Sequence, residues 1–297
     1  MPEKPAQRLE SLKPERPFFI GVDSDGCVFD TMEIKQKECF IPNIIQHFNL
    51  QGVCKYLRES AEFVNLYSSW RGANRFPAII KTFDFLRERP EVKRRGVAVP
   101  RLNALRKWVE EETKLGNPAL QAKVESENDA ELKQVLQWSL AVNLAIKEMV
   151  KGIGPFPYVR EGLEKACARA DMIVVSQTPS EALEREWKEH NLDGYVRVIA
   201  GQEYGTKAEH LQYAASGKYK AGRVLMIGDA LGDLQAAEAN DILFYPINPG
   251  LEEQSWQRFY EEALDKFFEG SYHGPYEEKF VEDFKSLLPS VPPWQRG

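Results

Sequence analysis

Four apolar, strand-like runs in this 297-residue chain each lead into acidic, hydroxyl or basic side chains. The runs and the polar residues that follow them are 17–23 with Asp23, Asp25 and Gly26; 171–176 with Ser176; 196–201 with Lys207; and 223–229 with Asp229 and Asp233. In an open parallel sheet, ligands bind just outside the carboxyl ends of the strands. These side chains are therefore predicted to converge on one crevice.

The order of the remaining elements predicts how that sheet is built. From residue 155 to 250 strand-like and helix-like segments alternate, which is typical of a parallel sheet with helices on both faces. Residues 31–154 instead show apolar positions at helical spacing and little strand alternation. The predicted fold class is therefore α/β, a Rossmann-like parallel sheet with helices on both faces and an inserted all-helical domain.

Composition shifts give the predicted domain boundaries. They are a flexible leader at 1–16, an α/β core at 17–30 and 155–250, a helical insertion at 31–154, and a helical tail at 251–297. The leader is polar and proline-rich, without the apolar centre of a signal peptide. The tail shows two amphipathic helical patterns, at 254–268 and 277–288, but no motif that indicates its role.

Composition also narrows the class of protein. The net charge of -6 disfavours a broad nucleic-acid surface, which needs clustered Lys and Arg. No apolar stretch approaches the roughly 20 residues that span a bilayer. The four cysteines form no CxxC pair, so no zinc site or disulfide framework is indicated, and a cytoplasmic location is predicted. The sequence does not indicate the oligomeric state.

Asp23 and Asp25 carry the strongest chemical signal. A carboxylate can attack phosphorus, and a second acid two residues on can protonate the leaving oxygen and later deprotonate water. Gly26 supplies the backbone freedom with which the chain leaves the strand. A calcium loop would place its glycine at the sixth position from the first Asp rather than the fourth. A simple acidic turn is the other alternative.

Ser176 and Lys207 are ambiguous when each is taken alone. A serine after a strand is usually a turn residue, yet its hydroxyl and the N–H groups of a following helix can bind phosphate. Most lysines are solvated, whereas Lys207 would begin a helix just past the third strand and hold the Asp23 carboxylate and the phosphoryl oxygens as a point charge. Three other lysines in this half of the chain are rivals: Lys188, Lys218 and Lys220.

These four motifs, in this order, resemble the haloacid dehalogenase (HAD) superfamily of aspartate-nucleophile phosphotransferases. The resemblance covers residues 17–30 and 155–250, and it identifies the helical insertion with a C1-type cap. It implies Asp23 as nucleophile and Asp25 as general acid and base. It implies a phosphate site made of Ser176, Gln177, Lys207 and Gly26, although Asn is frequent where Gln177 stands.

The resemblance also implies a Mg²⁺ cofactor. Its ligands would be the carboxylate of Asp23, the backbone carbonyl of Asp25 and the carboxylate of Asp229. Asp233 would act on the metal indirectly, or would be a helix N-terminal acid without a metal role. Without a cation, several acids in one crevice would raise one another's pKa.

Substrate specificity is predicted in the insertion, where the signal is weaker. The segment 69–76 gathers Arg71, Asn74 and Arg75 around a glycine, and such a loop can clamp an anionic or hydroxylated substrate. A solvated turn between helices is the alternative.

The predicted function is a Mg²⁺-dependent phosphatase that hydrolyses a small phosphorylated metabolite through an aspartyl-phosphate on Asp23. One alternative is a phosphomutase of the β-phosphoglucomutase type, which the motifs do not separate from a phosphatase. The other is a catalytically silent HAD-like binding protein. Dehalogenases and phosphonatases of the family lack the second aspartate, which this chain has as Asp25.

Overall fold

The computed structural model describes residues 5–295, which form five strands and a larger set of helices. The strands are β1 Phe18–Val22, β2 Ala170–Val175, β3 Val198–Ala200, β4 Val224–Gly228 and β5 Leu243–Pro246. The helices are α1 Pro5–Glu10, α2 Met32–Ile34, α3 Ile41–His47, α4 Cys54–Leu66, α5 Arg75–Glu88, α6 Pro90–Arg95, α7 Asn103–Glu111, α8 Asn117–Glu127, α9 Ala130–Met149, α10 Val159–Cys167, α11 Ser180–Glu189, α12 Lys207–Ala215, α13 Leu231–Glu238, α14 Glu252–Arg258, α15 Leu264–Glu269 and α16 Pro275–Leu287. Single π-helical segments, Lys35–Phe40 and Phe259–Ala263, join α2 to α3 and α14 to α15.

The five strands form one sheet in the order β3-β2-β1-β4-β5, and all neighbouring pairs are parallel. In β1, which lies at the centre, Ile20 pairs with Met172 on one side and with Leu225 on the other. The predicted α/β fold with a parallel sheet is confirmed. The carboxyl ends of all five strands therefore lie along one edge of the sheet.

Both faces of the sheet are buried, which explains the near-continuous apolar sequence of β1. Ile20 and Val22 pack on one face against α10 and α11, whereas Phe19 packs on the other face against α12 and α13. Gly21 faces α12, and a Cβ added there would lie 2.8 Å from Leu211 Cδ2. The glycine thus lets this helix approach the central strand.

The chain forms two compact units. The first contains the described residues up to Asp30 together with Ile153–Leu288, and the second contains Thr31–Gly152 with the described residues from Pro289 onward. Helices α14 to α16, in the predicted C-terminal helical tail, belong to the same compact unit as the sheet. Their aromatic side chains explain this, because Trp256, Phe259 and Phe267 are fully buried in the apolar cluster on one face of the sheet.

The described part of the N-terminal segment, which was predicted to be a flexible leader, makes contacts with the first unit. Leu9 of α1 is fully buried beside α12. The backbone N–H groups of Glu15 and Arg16 donate to Asp171 Oδ2 at 2.8 and 3.1 Å. The prediction for residues 1–4 lies outside the described residues.

The second unit is helical where the structure describes it, from α2 to α9, and it has its own core. Phe76, Phe83, Trp108 and Trp138 are among the buried side chains of that core. Near its C-terminus the chain adds Trp294, which packs 5.6 Å from Phe63 between ring centroids. No helix among residues 5–295 has the length and apolarity needed to cross a membrane.

Candidate active site

Asp23 follows β1 directly and is held at the sheet edge by its own backbone. Its N–H donates to Ile227 O of β4 at 2.9 Å. The next residue, Ser24, accepts hydrogen bonds on its carbonyl from the N–H groups of Cys27, Val28 and Phe29. This tight turn fixes the loop that carries Asp23, and only 5% of the surface of that residue is exposed.

Asp25 and Gly26 lie within the same turn. Gly26 has φ of 75°, a left-handed conformation that glycine adopts without steric cost, and its N–H donates to Phe29 O at 2.9 Å. Asp25 is partly buried, and its Oδ2 accepts a 2.7 Å hydrogen bond from the hydroxyl of Thr178. The two carboxylates predicted for catalysis thus come from one rigid loop.

Ser176 follows β2, where its N–H pairs with Ala200 O of β3 at 3.0 Å. Ser176 is 2% exposed, and its hydroxyl accepts a hydrogen bond from the N–H of Thr178 at 3.2 Å. An accepting hydroxyl still has its own hydrogen to donate. Ser176 is therefore suited to donate to a phosphoryl oxygen at the sheet edge.

Lys207 begins α12 and joins two of the acids. Its Nζ lies 2.9 Å from Asp23 Oδ2 and 2.6 Å from Asp233 Oδ1. The three alternative lysines lie elsewhere. Lys188 pairs with Glu184, and Lys220 is exposed. Lys218 donates to the backbone carbonyls of Leu9, Glu10 and Tyr213. Of these four lysines, Lys207 is the one that contacts Asp23 and Asp233.

The loop before α12 explains how Lys207 is aimed. Thr206 and Glu209 form a capping box, in which each side chain accepts from the backbone N–H of the other residue. Gln177 donates from its amide nitrogen to Gly205 O at 2.9 Å, so it steadies this loop. The phosphate-binding role of Gln177 stays a prediction.

Asp23, Asp229 and Asp233 form a cluster whose carboxylate oxygens lie within 4.8 Å of one another. Asp229 follows β4, and all three residues are buried. Both oxygens of Asp233 are engaged, since Oδ1 accepts from Lys207 and Oδ2 accepts from the N–H of Ala230 at 3.1 Å. Hard oxygen donors of this kind fit Mg²⁺. These three carboxylates could hold a metal ion, and two of them, Asp23 and Asp233, also contact Lys207.

Burial sets the protonation of the cluster. Burial raises the pKa of Asp23 to about 7, against the opposing attraction of Lys207 and with a further rise from Asp229. Burial likewise raises the pKa of Asp233 to about 6. For Lys207 burial disfavours the ammonium, but Asp23 and Asp233 outweigh it and the pKa is raised, so Lys207 stays charged. The ammonium compensates part of the negative charge in the crevice.

Three residues that the sequence did not indicate make contacts in the loops that follow β1, β2 and β3. Thr178 contacts Asp25 as described, and a second hydroxyl two residues after Ser176 was the available signal. Glu203 accepts on Oε2 from the N–H and the hydroxyl of Ser180. Its carboxylate thus offsets the partial positive charge at the N-terminal end of α11. Trp256 of α14 donates to Cys27 O at 2.7 Å, and no local pattern in the sequence indicates this contact.

The three side chains predicted to bind substrate in the helical unit all have contacts within that unit. Arg71 is 6% exposed and donates to Leu66 O at 3.0 Å. Asn74 caps α5, accepting from the N–H of Phe76, and donates to Leu115 O. Arg75 Nη1 lies 3.0 Å from Ser139 Oγ and 2.7 Å from Asn143 Oδ1. These contacts give each side chain a structural task, and the specificity role stays a prediction.

Arg75→Ala is expected to lower the free energy of unfolding by about 2–3 kcal/mol, because charge-assisted hydrogen bonds to α9 and the packing over Phe40 are lost. Burial lowers the pKa of Arg75 to about 10, so the side chain is charged at neutral pH. Urea denaturation measures the change. Arg94→Ala is the control, since Arg94 is exposed, and it should change the value by no more than about 0.5 kcal/mol. Equal effects of the two substitutions would contradict the structural role.

This chain is similar to several solved structures. A HAD-superfamily hydrolase of subfamily IA from Geobacter sulfurreducens is 16% identical, with 79% of this chain and 90% of that chain covered and a TM-score of 0.41. A haloacid dehalogenase-like hydrolase from Streptococcus pneumoniae is 13% identical, with 81% and 90% covered and a TM-score of 0.43. A predicted phosphoglycolate phosphatase from Haemophilus somnus is 17% identical, with 78% and 86% covered and a TM-score of 0.40.

No family model and no curated protein matches the sequence. The three solved structures described above are less than 25% identical to this chain and have TM-scores below 0.5.

Proposed function

We propose that this protein is a Mg²⁺-dependent phosphatase that hydrolyses a small phosphorylated metabolite through an aspartyl-phosphate on Asp23. The observation that supports this most strongly is the buried Asp23 carboxylate, 2.9 Å from Lys207 Nζ and in a loop with Asp25. A carboxylate in an acidic cluster that also has a lysine is suited to attack an anionic phosphoryl group. The ammonium offsets the repulsion between the two anions.

Two displacements complete the proposed reaction. In the first, a carboxylate oxygen of Asp23 attacks phosphorus while the bond from phosphorus to the ester oxygen breaks, and that oxygen takes the proton of Asp25. In the second, a water gives its proton to Asp25 and attacks phosphorus, which releases phosphate and restores the Asp23 carboxylate. Lys207 and the hydroxyl of Ser176 hold the phosphoryl oxygens in both steps.

Asp23, Asp229 and the backbone carbonyl of Asp25 are the groups that would hold Mg²⁺ in this proposal. When bound, the cation would neutralise charge on the carboxylates and on the phosphoryl group. The oxygen chemistry of the cluster supports this choice of ion. A cytoplasmic location stays a prediction, in keeping with four cysteines that are free in the structure.

The test is release of inorganic phosphate from a panel of sugar phosphates, nucleotides and other phosphate esters, with Mg²⁺ and with EDTA. We expect turnover of at least one ester that requires Mg²⁺. Accumulation of a bisphosphorylated compound without free phosphate would instead favour a phosphomutase. Metal binding without turnover on the whole panel would favour a silent binding protein.

Binding of Mg²⁺ is expected to release protons near pH 6 and few near pH 8. The reason is that a carboxylate with a pKa of about 7, which is the value for Asp23, must lose its proton to bind the cation. Calorimetric titration in two buffers with different ionisation enthalpies measures the protons released. Binding without proton release at pH 6 would show that Asp23 is already ionised there.

The raised pKa of Asp23 also determines how the stability of the metal-free protein changes with pH. The folded protein binds the Asp23 proton more tightly than the unfolded chain, whose pKa is near the ordinary value of 3.8. The free energy of unfolding of the metal-free protein should therefore receive a contribution that is lost as the pH rises from about 4 to about 7.

A further inference from the structure

The hydrogen bond between Thr178 and Asp25 joins two residues whose positions are 153 apart in the sequence. We infer that Thr178 is a positioning residue for the general acid and base, an inference that rests on the proposed phosphatase function. Its hydroxyl holds Asp25 in one orientation and stabilises the carboxylate that forms when the leaving oxygen is protonated.

The backbone of Thr178 is fixed on three sides. Its N–H donates to Ser176 Oγ at 3.2 Å, and its carbonyl accepts from the N–H of Gln202 at 3.1 Å. Gly201 packs closely against the Thr178 carbonyl, since a Cβ added at Gly201 would lie only 2.5 Å from Thr178 O. The hydroxyl is therefore presented to Asp25 by a rigid loop at the ends of β2 and β3.

The direction of the hydrogen bond follows from the chemistry of the pair. An ionised carboxylate is only an acceptor, so Thr178 Oγ1 must donate to Asp25 Oδ2 at 2.7 Å in that state. The proton that Asp25 gives to the leaving oxygen is then carried on Oδ1. Asp25 becomes a carboxylate as that proton leaves, and a hydroxyl donor at Oδ2 stabilises the charge as it develops. Thr178 itself transfers no proton.

The loop also connects the acid to the phosphate site. Ser176 accepts the N–H of Thr178 through the same hydroxyl that is placed to donate to a phosphoryl oxygen. One turn of chain thus sets the position of a phosphate donor and of the acid. The side chain of Thr178 acts only on Asp25 in this arrangement, so its removal should affect proton transfer more than phosphate binding.

The test compares Thr178→Val, which keeps the shape but removes the hydroxyl, with Thr178→Ser, which keeps the hydroxyl. Steady-state kinetics are measured with an alkyl phosphate and with an activated aryl phosphate, whose leaving group needs little protonation. For the alkyl phosphate, Thr178→Val should lower kcat by about 10- to 100-fold with little change in KM. The loss in phospho-enzyme formation from the aryl phosphate, followed in single turnovers, should be smaller, and Thr178→Ser should restore most of the rate.

The outcomes separate this inference from the proposed function. An active wild-type protein whose kcat is unchanged in Thr178→Val overturns the positioning role and leaves the phosphatase intact. Equal losses for both leaving groups, or a loss that Thr178→Ser does not restore, overturn it as well, because they indicate only a structural role. A wild-type protein without turnover on any ester overturns the proposed function and this role with it.

Discussion

Asp23→Asn is expected to lower phosphate release by on the order of 10⁴-fold or more, because the substitution removes the attacking oxygen itself. The neutral amide is also a poor ligand for Mg²⁺ and a poor partner for Lys207, whose Nζ lies 2.9 Å from Asp23 Oδ2. The measurement is the rate of phosphate release at saturating Mg²⁺. A radiolabelled or mass-detected phospho-enzyme should appear in single turnovers of the wild type and be absent from the variant.

The same substitution should leave the fold intact. Burial disfavours the Asp23 carboxylate, as its pKa of about 7 indicates, so an amide of the same shape is not expected to lower the melting temperature of the metal-free protein. Mg²⁺ should raise the melting temperature of the wild type but not that of Asp23→Asn. Asp241→Asn is the matched control, since Asp241 is exposed and carries the same charge. Full turnover in a folded Asp23→Asn protein would rule out the aspartyl-phosphate.

Gly228→Ala is expected to lower the free energy of unfolding by about 3 kcal/mol and activity by about 100-fold. A Cβ added to Gly228 would overlap Cβ and Cγ of Asp233, which is fully buried. Asp233 would have to move away from Lys207 and from the N–H of Ala230, and Lys207 would lose one of its two carboxylate partners. Urea denaturation and phosphate release measure the two effects.

Gly232→Ala provides a control four residues away. A Cβ added to Gly232 meets no atom of the described residues within 4 Å, and the residue lies in α13, where alanine is the better helix former. This variant should be as stable as the wild type or more stable, by up to about 1 kcal/mol. If both variants unfold at the same urea concentration, the close approach of Gly228 and Asp233 does not hold in the protein.

The sequence predicted the fold class because its signals are local. A strand buried on both faces must be apolar throughout, and β1 is; a helix must repeat its apolar positions every three or four residues, and the segments around α4, α5 and α9 do. Helices α6 and α8 lie in the predicted helical insertion but were not predicted individually; α6 has only six residues, and both contain a proline in the first turn.

The placement of Asp23, Ser176, Lys207 and Asp229 at one edge was also predictable. Parallel strands carry their carboxyl ends to the same side, so residues just past each strand must meet there whatever the loops do. Lys207 was predicted to hold the Asp23 carboxylate and lies 2.9 Å from it, but its contact with Asp233 and the geometry of both contacts could not be derived in this way. They depend on the capping box that starts α12 and on the close approach of Gly228 to Asp233.

What the sequence determined, then, is which elements form and which chemical groups lie at the ends of the strands, because apolar periodicity and strand polarity are properties of short segments. Only the tertiary structure decided how distant segments combine: that Thr178 holds Asp25, that Arg75 binds α9, and that Trp256 of the supposed tail supports the loop after Asp23. Each of these contacts joins residues at least 64 positions apart. Their partners are selected by the packing of whole helices and loops, which no local pattern records.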